Sequence, residues 1–175
     1  RHALNVVDAM LGHGAGDTHK TAPLALDRIA DEAVSSMRPL AEASRIRLAA
    51  HSDKGRLEVL ANATAVRQIL FNLINNALKF TPANGRVALS AKSAGAWMDV
   101  EVADSGVGIE SEALPRLFDR FYQVDPSRAG GEGHGAGLGL AIAREIAQAH
   151  GGKIGVRSSV GHGTTFTIRL PLAQK

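Results

Sequence analysis

Asn72-Leu73-Ile74-Asn75-Asn76-Ala77-Leu78-Lys79-Phe80-Thr81 closes a segment whose apolar face reads Val66, Ile69, Leu70, Leu73, Ile74 and Ala77. That spacing has the 3.6-residue period of an amphipathic helix. Asn62 or Thr64 supplies its N-cap, a side-chain oxygen for an otherwise unpaired N–H of the first turn. Asn72 and Asn76 stand four residues apart, with Lys79 three further on, so the three share one stripe. The stripe has two readings. It is the solvated face of an amphipathic helix, or it is a ligand set. A magnesium ion takes oxygen ligands, keeps several waters, and is commonly held by one or two protein groups plus substrate phosphates. An Asn carbonyl oxygen with a Lys nearby suits it.

Working outward toward the N-terminus, Arg56 to Leu60 and Ile46 to His51 read as short strands. Before them, Ile29, Ala30, Ala33, Val34, Met37, Leu40 and Ala41 mark a second core-facing helix from Leu26, with Pro39 expected to kink its last turn. Leu4, Val7 and Leu11 have helical spacing and stop at the breaker cluster Gly12–Gly16, a helix end plus linker. Toward the C-terminus, Val87 to Lys92 and Met98 to Ala103 alternate with the two-residue period of half-buried strands and are expected to pair. A long glycine-rich loop reaches Gly139, interrupted by an apolar and aromatic stretch from Leu114 to Tyr122. Loops of that length in compact domains are usually functional. Leu138 to Ala149 reads as a third helix ending at a Gly151-Gly152 cap, followed by strands at Lys153 to Ser158 and Thr164 to Leu170. The pattern is one α/β domain, most simply a sheet covered on one face by three helices.

Three further segments carry chemistry. Asp104-Ser105-Gly106-Val107-Gly108-Ile109 follows a strand, where a carboxylate can accept from an exocyclic amine and glycines let a flat ring approach the backbone. An adenine satisfies both; an ordinary Asp-rich turn is the alternative. Gly133-His134-Gly135-Ala136-Gly137-Leu138-Gly139-Leu140 opens a helix, where exposed N–H groups favour phosphates. It lacks the Gly-Lys-Ser/Thr ending of a P-loop and does not follow the strand a Rossmann turn requires, and a lid without ligand is the alternative. Gly161-His162-Gly163-Thr164-Thr165-Phe166 enters the last strand and reads by itself as a β-turn.

Composition excludes several classes. The 175 residues, 45% hydrophobic and 21% charged, suffice for one globular core. A net charge of +3, with the basic residues dispersed, argues against nucleic-acid binding. There is no cysteine, hence no disulfide framework or thiolate metal site. No apolar run approaches the roughly 18 residues of a membrane span. The start at Arg1, without a signal-peptide pattern, reads as a fragment of a longer chain.

In order and spacing, these segments resemble the N, G1, F, G2 and G3 boxes of the histidine kinase catalytic domain, within the ATPase family that includes gyrase and Hsp90. The F box corresponds to Leu117-Phe118-Asp119-Arg120-Phe121-Tyr122, followed by Val124 to Arg128. The likeness spans about residues 20 to 171, and Asn76 to Thr81 together with Phe118 to Tyr122 point to the kinase branch. It implies a two-layer α/β sandwich of the Bergerat type: a mixed, mostly antiparallel five-stranded sheet under three helices, with a mobile ATP lid from about Tyr122 to Gly135. It implies ATP and Mg²⁺ as cofactors, ADP as product, and transfer of the γ-phosphoryl group to a histidine. Asn76 would hold the metal with support from Asn72, Lys79 would reach the phosphates, and Phe80 would line the pocket. Asp104 would accept from the adenine amino group beside Gly106, Gly108 and Ile109. Gly135, Gly137, Leu138 and Gly139 would wrap the triphosphate, with Thr164 or Thr165 at the base of the pocket. Arg120 and Arg128 would steady the γ-phosphoryl group in transfer.

Such kinases phosphorylate a histidine that an acidic residue follows, on an upstream dimerisation helix. None of the seven histidines, His2, His13, His19, His51, His134, His150 and His162, precedes Asp or Glu. Residues 1–20 then resemble the end of the second dimerisation helix and its linker, and 21–175 the ATP-binding domain. The expected partners are the chain's own upstream helices and a response regulator or receiver domain. The location implied is cytoplasmic, in a soluble or membrane-bound sensor, and the fragment is expected to be a monomer that does not phosphorylate itself.

Overall fold

A computed structural model of the chain describes residues 20–52, 58–124 and 137–173. The expectations for residues 1–19 and for the loop at 125–136, Arg128, His134 and Gly135 among them, lie outside these residues.

Among the described residues, seven strands and three α-helices follow one another as β1 (Ala22–Ala25), α1 (Leu26–Ala43), β2 (Arg47–Ser52), β3 (Glu58–Ala61), α2 (Ala63–Phe80), β4 (Arg86–Ala94), β5 (Trp97–Asp104), α3 (Gly139–Ala149), β6 (Lys153–Ser159) and β7 (Gly163–Pro171). A 3₁₀ turn at Leu114–Arg116 lies between β5 and α3. Five strands form the main sheet in the order β2-β4-β5-β7-β6. Only β2 and β4 are parallel; the other three pairs are antiparallel. This is the mixed, mostly antiparallel five-stranded sheet that the resemblance implied.

The alternation along each strand sets the two layers. Val87, Leu89 and Ala91 of β4, Met98, Val100 and Val102 of β5, and Phe166, Ile168 and Leu170 of β7 are buried on one face. Against them pack the apolar stripes of α1 (Ile29, Ala30, Val34, Met37) and α2 (Ile69, Leu70, Leu73, Ile74), and Ala143, Ile146 and Ala147 of α3. Burial of roughly 1.5–3 kcal/mol for each large aliphatic side chain drives this assembly. The opposite face is polar and carries cross-strand ion pairs. Asp99 and Arg169 are direct β5–β7 partners, joined by two charge-assisted hydrogen bonds of 2.6 Å.

Local sequence explains the element ends. Asn62 caps α2, its side chain accepting from the Ala65 N–H at 3.0 Å, while α1 runs through Pro39 to Ala43 and ends on Arg45 with φ of 56°. The structure departs from the sequence reading at β1 and β3. Glu58–Ala61 does not join the main sheet; it pairs antiparallel with Ala22–Ala25, a strand the periodicity had not indicated. With four residues and Pro23 lacking an N–H, β1 carries too little pattern to register, and among the described residues it pairs with β3 alone.

Candidate functional site

Asp104 ends β5, and pairing in register places it opposite Thr164 at the start of β7. Two backbone N–H groups converge on its Oδ1, from Gly106 at 2.8 Å and from Thr164 at 3.2 Å. Among the described residues no hydrogen bond goes to Oδ2. Loss of hydration pushes the Asp104 carboxyl above the usual carboxylate range, opposed in part by the Gly106 and Thr164 N–H groups.

The loop after Asp104 is stitched on both sides. Val107 N–H donates to the Phe80 carbonyl at the end of α2, and Gly161 N–H in the β6–β7 turn donates to the Val107 carbonyl at 2.8 Å. Ile109 N–H donates to Ser158 Oγ at 2.9 Å. The glycines here have a reason other than access for a ring. A Cβ at Gly106 would press on the Phe80 carbonyl oxygen, and one at Gly108, where φ is 73°, on the Ser159 carbonyl oxygen. Both serve the packing of the loop against its neighbours.

Beside this floor lies a cavity of about 360 Å³. Asn72, Asn75, Asn76, Lys79 and Phe80 of α2 form one wall, Asp104, Val107, Gly108, Ile109 and Thr164 the floor, and Gly137, Gly139 and Leu140 the end at α3. The stripe of Asn72, Asn76 and Lys79 is therefore a pocket wall. The Asn72 amide is oriented by its neighbours: its Nδ2 donates to the Gly139 carbonyl at 3.2 Å and its Oδ1 accepts from Gln68 Nε2 at 3.1 Å. Lys79 Nζ lies 5.3 Å from the Phe80 ring centroid.

The aromatic segment supplies the remaining side. Leu117 is buried and lines the cavity, and the Phe118 ring meets Phe166 edge-to-face at 6.2 Å. Phe121 has φ of 64° and is 69% exposed, and its N–H donates to the Gly137 carbonyl at 3.1 Å, so this segment touches the residues that lead into α3. Tyr122 lines the cavity and carries the Arg116 guanidinium over its ring. Arg120 is turned to α3, where its guanidinium bonds Glu145, and it is not a cavity residue.

Of the residues singled out by sequence, the structure gathers Asn72, Asn76, Lys79, Phe80, Asp104, Gly108, Ile109, Gly137, Gly139 and Thr164 around one cavity. Gly106 lies behind Asp104, and Leu138 forms the N-cap position of α3. Thr165 points to the other face of the sheet, paired with Ala103 and Arg157; the buried Phe166 and Ile168 already fixed Thr164 as the inward residue by parity. Asn75, Val107, Leu117, Tyr122, Gln123, Val124, Leu140 and Phe166 line the cavity without having been singled out.

The donor set suits an adenine nucleotide better than a metal alone. Among the described residues, no group of three or more His, Cys, Asp or Glu is placed to hold a metal ion. Amide oxygens and one lysine fit an ion that arrives with phosphates and waters.

The family model for histidine kinase-, DNA gyrase B- and HSP90-like ATPases matches residues 61–174. Histidine protein kinase DivJ of Caulobacter vibrioides is 43% identical over 118 residues, 67% of this chain and 19% of DivJ. The circadian input-output histidine kinase CikA of Synechococcus elongatus is 34% identical over 176 residues, 97% of this chain and 23% of CikA. The chain thus spans about a fifth of the length of these relatives. Among solved structures, full-length ShkA in complex with AMPPNP matches with a TM-score of 0.81 at 33% identity, covering 99% of this chain and 36% of ShkA. With residues 61–174 matched and kinases among its relatives in both sequence and structure, the chain belongs to the histidine kinase-, DNA gyrase B- and HSP90-like ATPase family, as an ATP-binding domain of the sensor histidine kinase type.

Proposed function

We propose that the cavity takes ATP as its magnesium complex and that, within a longer protein, the domain transfers the γ-phosphoryl group to a histidine on an upstream dimerisation helix, for relay to a response regulator. The observation that carries this reading is Asp104: a half-buried carboxylate with Oδ2 left to accept, on the floor of the cavity whose wall is Asn72, Asn76 and Lys79. The adenine amino group donates to Asp104. The phosphates run along the α2 wall toward Gly137, Leu138 and Gly139, where the N–H groups at the start of α3 favour anions. Asn76, with Asn72 beside it, would hold Mg²⁺, which neutralises phosphate charge when bound. Lys79 supplies a cation to the phosphates. Arg120, and Arg128 in the loop, are further cations for the transferred group, Arg120 on leaving Glu145. In transfer the P–O bond to ADP breaks, a P–N bond to the imidazole forms, and the imidazole proton leaves.

The match to ShkA, whose structure holds AMPPNP, supports nucleotide binding at the equivalent fold. No histidine of the sequence precedes Asp or Glu, so the chain by itself is expected to bind nucleotide without autophosphorylation.

Calorimetric titration with ADP and with AMPPNP, each with and without Mg²⁺, tests the site. Magnesium-strengthened binding that Asp104→Ala abolishes is expected. Asn76→Ala is expected to weaken binding in Mg²⁺ more than in its absence, and equal losses would remove Asn76 from the metal. Undiminished binding by Asp104→Ala would refute the adenine assignment.

A further inference from the structure

The helices cover one face of the main sheet, and among the described residues no element covers the other. Parity along the strands puts six cations on that open face: Arg47 of β2, Arg86 and Lys92 of β4, Arg169 of β7, and Lys153 and Arg157 of β6. The acids on the same strand positions are Asp99 and Glu101 of β5. Six against two leaves the face four positive, whereas the whole chain carries +3, so everything outside it sums to one negative charge. Basic residues dispersed along the sequence are gathered by the sheet.

Stability alone would not choose this arrangement. Arg169 answers Asp99, and Glu101 has Lys92 at 3.6 Å and Arg157 at 3.5 Å. Arg47 and Arg86 are direct partners in the β2–β4 register, and among the described residues neither guanidinium has an acid of its own. Like charges set opposite one another across two strands destabilise a sheet. Between the cations the surface is shallow, formed by Ala88, Ala103 and Gly155, and a Cβ on Gly155 would meet nothing within 4 Å. At one end stands Trp97, the one tryptophan of the chain, 38% exposed beside its register partner Pro171. Five strands spaced by about 4.8 Å put the cations of the two edge strands roughly 19 Å apart. No single small anion spans that width.

We propose that the open face of the sheet docks on an anionic lipid surface, its cations on the headgroup phosphates and Trp97 at the interfacial level that indoles favour. A plane of anions matches a shallow face with cations out to both edges, and it relieves the repulsion between Arg47 and Arg86. A second copy would set cations against cations. Asp104 and Thr164 point to the helix side of the sheet, so docking leaves the cavity uncovered, and the inference holds whatever the cavity binds.

The test is co-sedimentation of the 175-residue chain with vesicles of equimolar phosphatidylcholine and phosphatidylglycerol, and with vesicles of phosphatidylcholine alone, while Trp97 emission is recorded. Binding to the anionic vesicles only is expected, with Trp97 emission moved to shorter wavelength, and with release at about 1 M salt, where the screening length is about 3 Å. Arg47→Gln/Arg86→Gln is expected to lower partitioning at least about tenfold, the worth of two basic groups at an anionic surface, and to leave the melting temperature equal or higher. Lys153→Gln/Arg157→Gln, on the far edge, is expected to lower it likewise. Arg28→Gln/Arg38→Gln removes the same charge from α1, on the other layer, and is expected to lower it much less. Equal loss in that control, equal binding to uncharged vesicles, or binding without a Trp97 shift would overturn the proposal. So would binding to poly-L-glutamate without binding to vesicles, which would assign the face to an acidic protein, or a dimer without lipid that Arg47→Gln/Arg86→Gln alters, which would assign it to a second copy.

Discussion

On the proposed reading of the cavity, Asp104 serves ligand and fold in opposite senses. Its pKa is raised in the folded state because ionising it strips hydration that two N–H groups replace only in part. Above the ordinary carboxylate range the folded protein therefore holds this proton more tightly than the unfolded chain does. Stability falls as pH rises through that window. The proposed adenine contact needs the ionised carboxylate, so ADP affinity is expected to rise over the same window, measurable by titration from acid to neutral pH. Asp104→Asn keeps an acceptor for the Gly106 and Thr164 N–H groups but turns an NH₂ toward the ligand's amino group. It is expected to raise the melting temperature of the free chain at neutral pH while lowering ADP affinity at least about tenfold, since donor faces donor. A variant that lost both would make Asp104 a structural residue.

At the level of elements, α2 links the core to the cavity: its apolar stripe fills the interior and its amide stripe walls the pocket. Its N-terminus is fixed by the Asn62 cap and by Asn62 N–H donating to His150 Nε2 at 3.1 Å, just beyond α3. Asn62→Ala is expected to cost about 1 kcal/mol in denaturant unfolding, the worth of a cap. Gly137, at φ of 72° and with a Cβ position 2.9 Å from Phe121 backbone carbon, joins α3 to the aromatic segment. Gly137→Ala is expected to cost about 1–2 kcal/mol from the left-handed conformation alone and to weaken ADP binding.

The helices and the main strands were legible because each buries one face, and burial imprints its own period: Val66 to Ala77 announces α2, and Val100 and Val102 announce β5. The wall and floor were legible because polar residues interrupt those periods. Contacts distant in sequence were not. Nothing near Arg120 indicates Glu145, nothing near Glu58 says that it pairs with a short strand before α1, and nothing near Gly108 announces the Ser159 carbonyl that excludes a Cβ. Period reports which face is buried, and leaves the neighbour unnamed.

Over the whole molecule, the polar face of the sheet ties β5 to β7 through Asp99 and Arg169. The Arg169 guanidinium holds the Asp99 carboxyl below the usual carboxylate range, against a desolvation cost. The sign is opposite to that at Asp104. The stability Asp99 contributes is present above the ordinary carboxylate value and is lost as pH falls through its lowered one. Asp99→Asn is expected to lower neutral-pH stability by about 1–2 kcal/mol and to flatten the acid side of a stability-against-pH curve, read by denaturant melts. An unchanged curve would mean that solvent, not Asp99, satisfies the arginine.

The sheet order also sets a sequence of events in time. The hairpins β4–β5 and β6–β7 close locally, whereas β2 meets its parallel partner β4 only after β3 and α2 have been laid down between them. Closing that longer loop costs more chain entropy than closing a hairpin. During synthesis β2 and the apolar stripe of α1 therefore leave the ribosome well before α2 and β4, which cover them, and this stretch is the one a chaperone would have to hold. In the finished protein the amides of β2 are expected to exchange with solvent before those of β5 and β7.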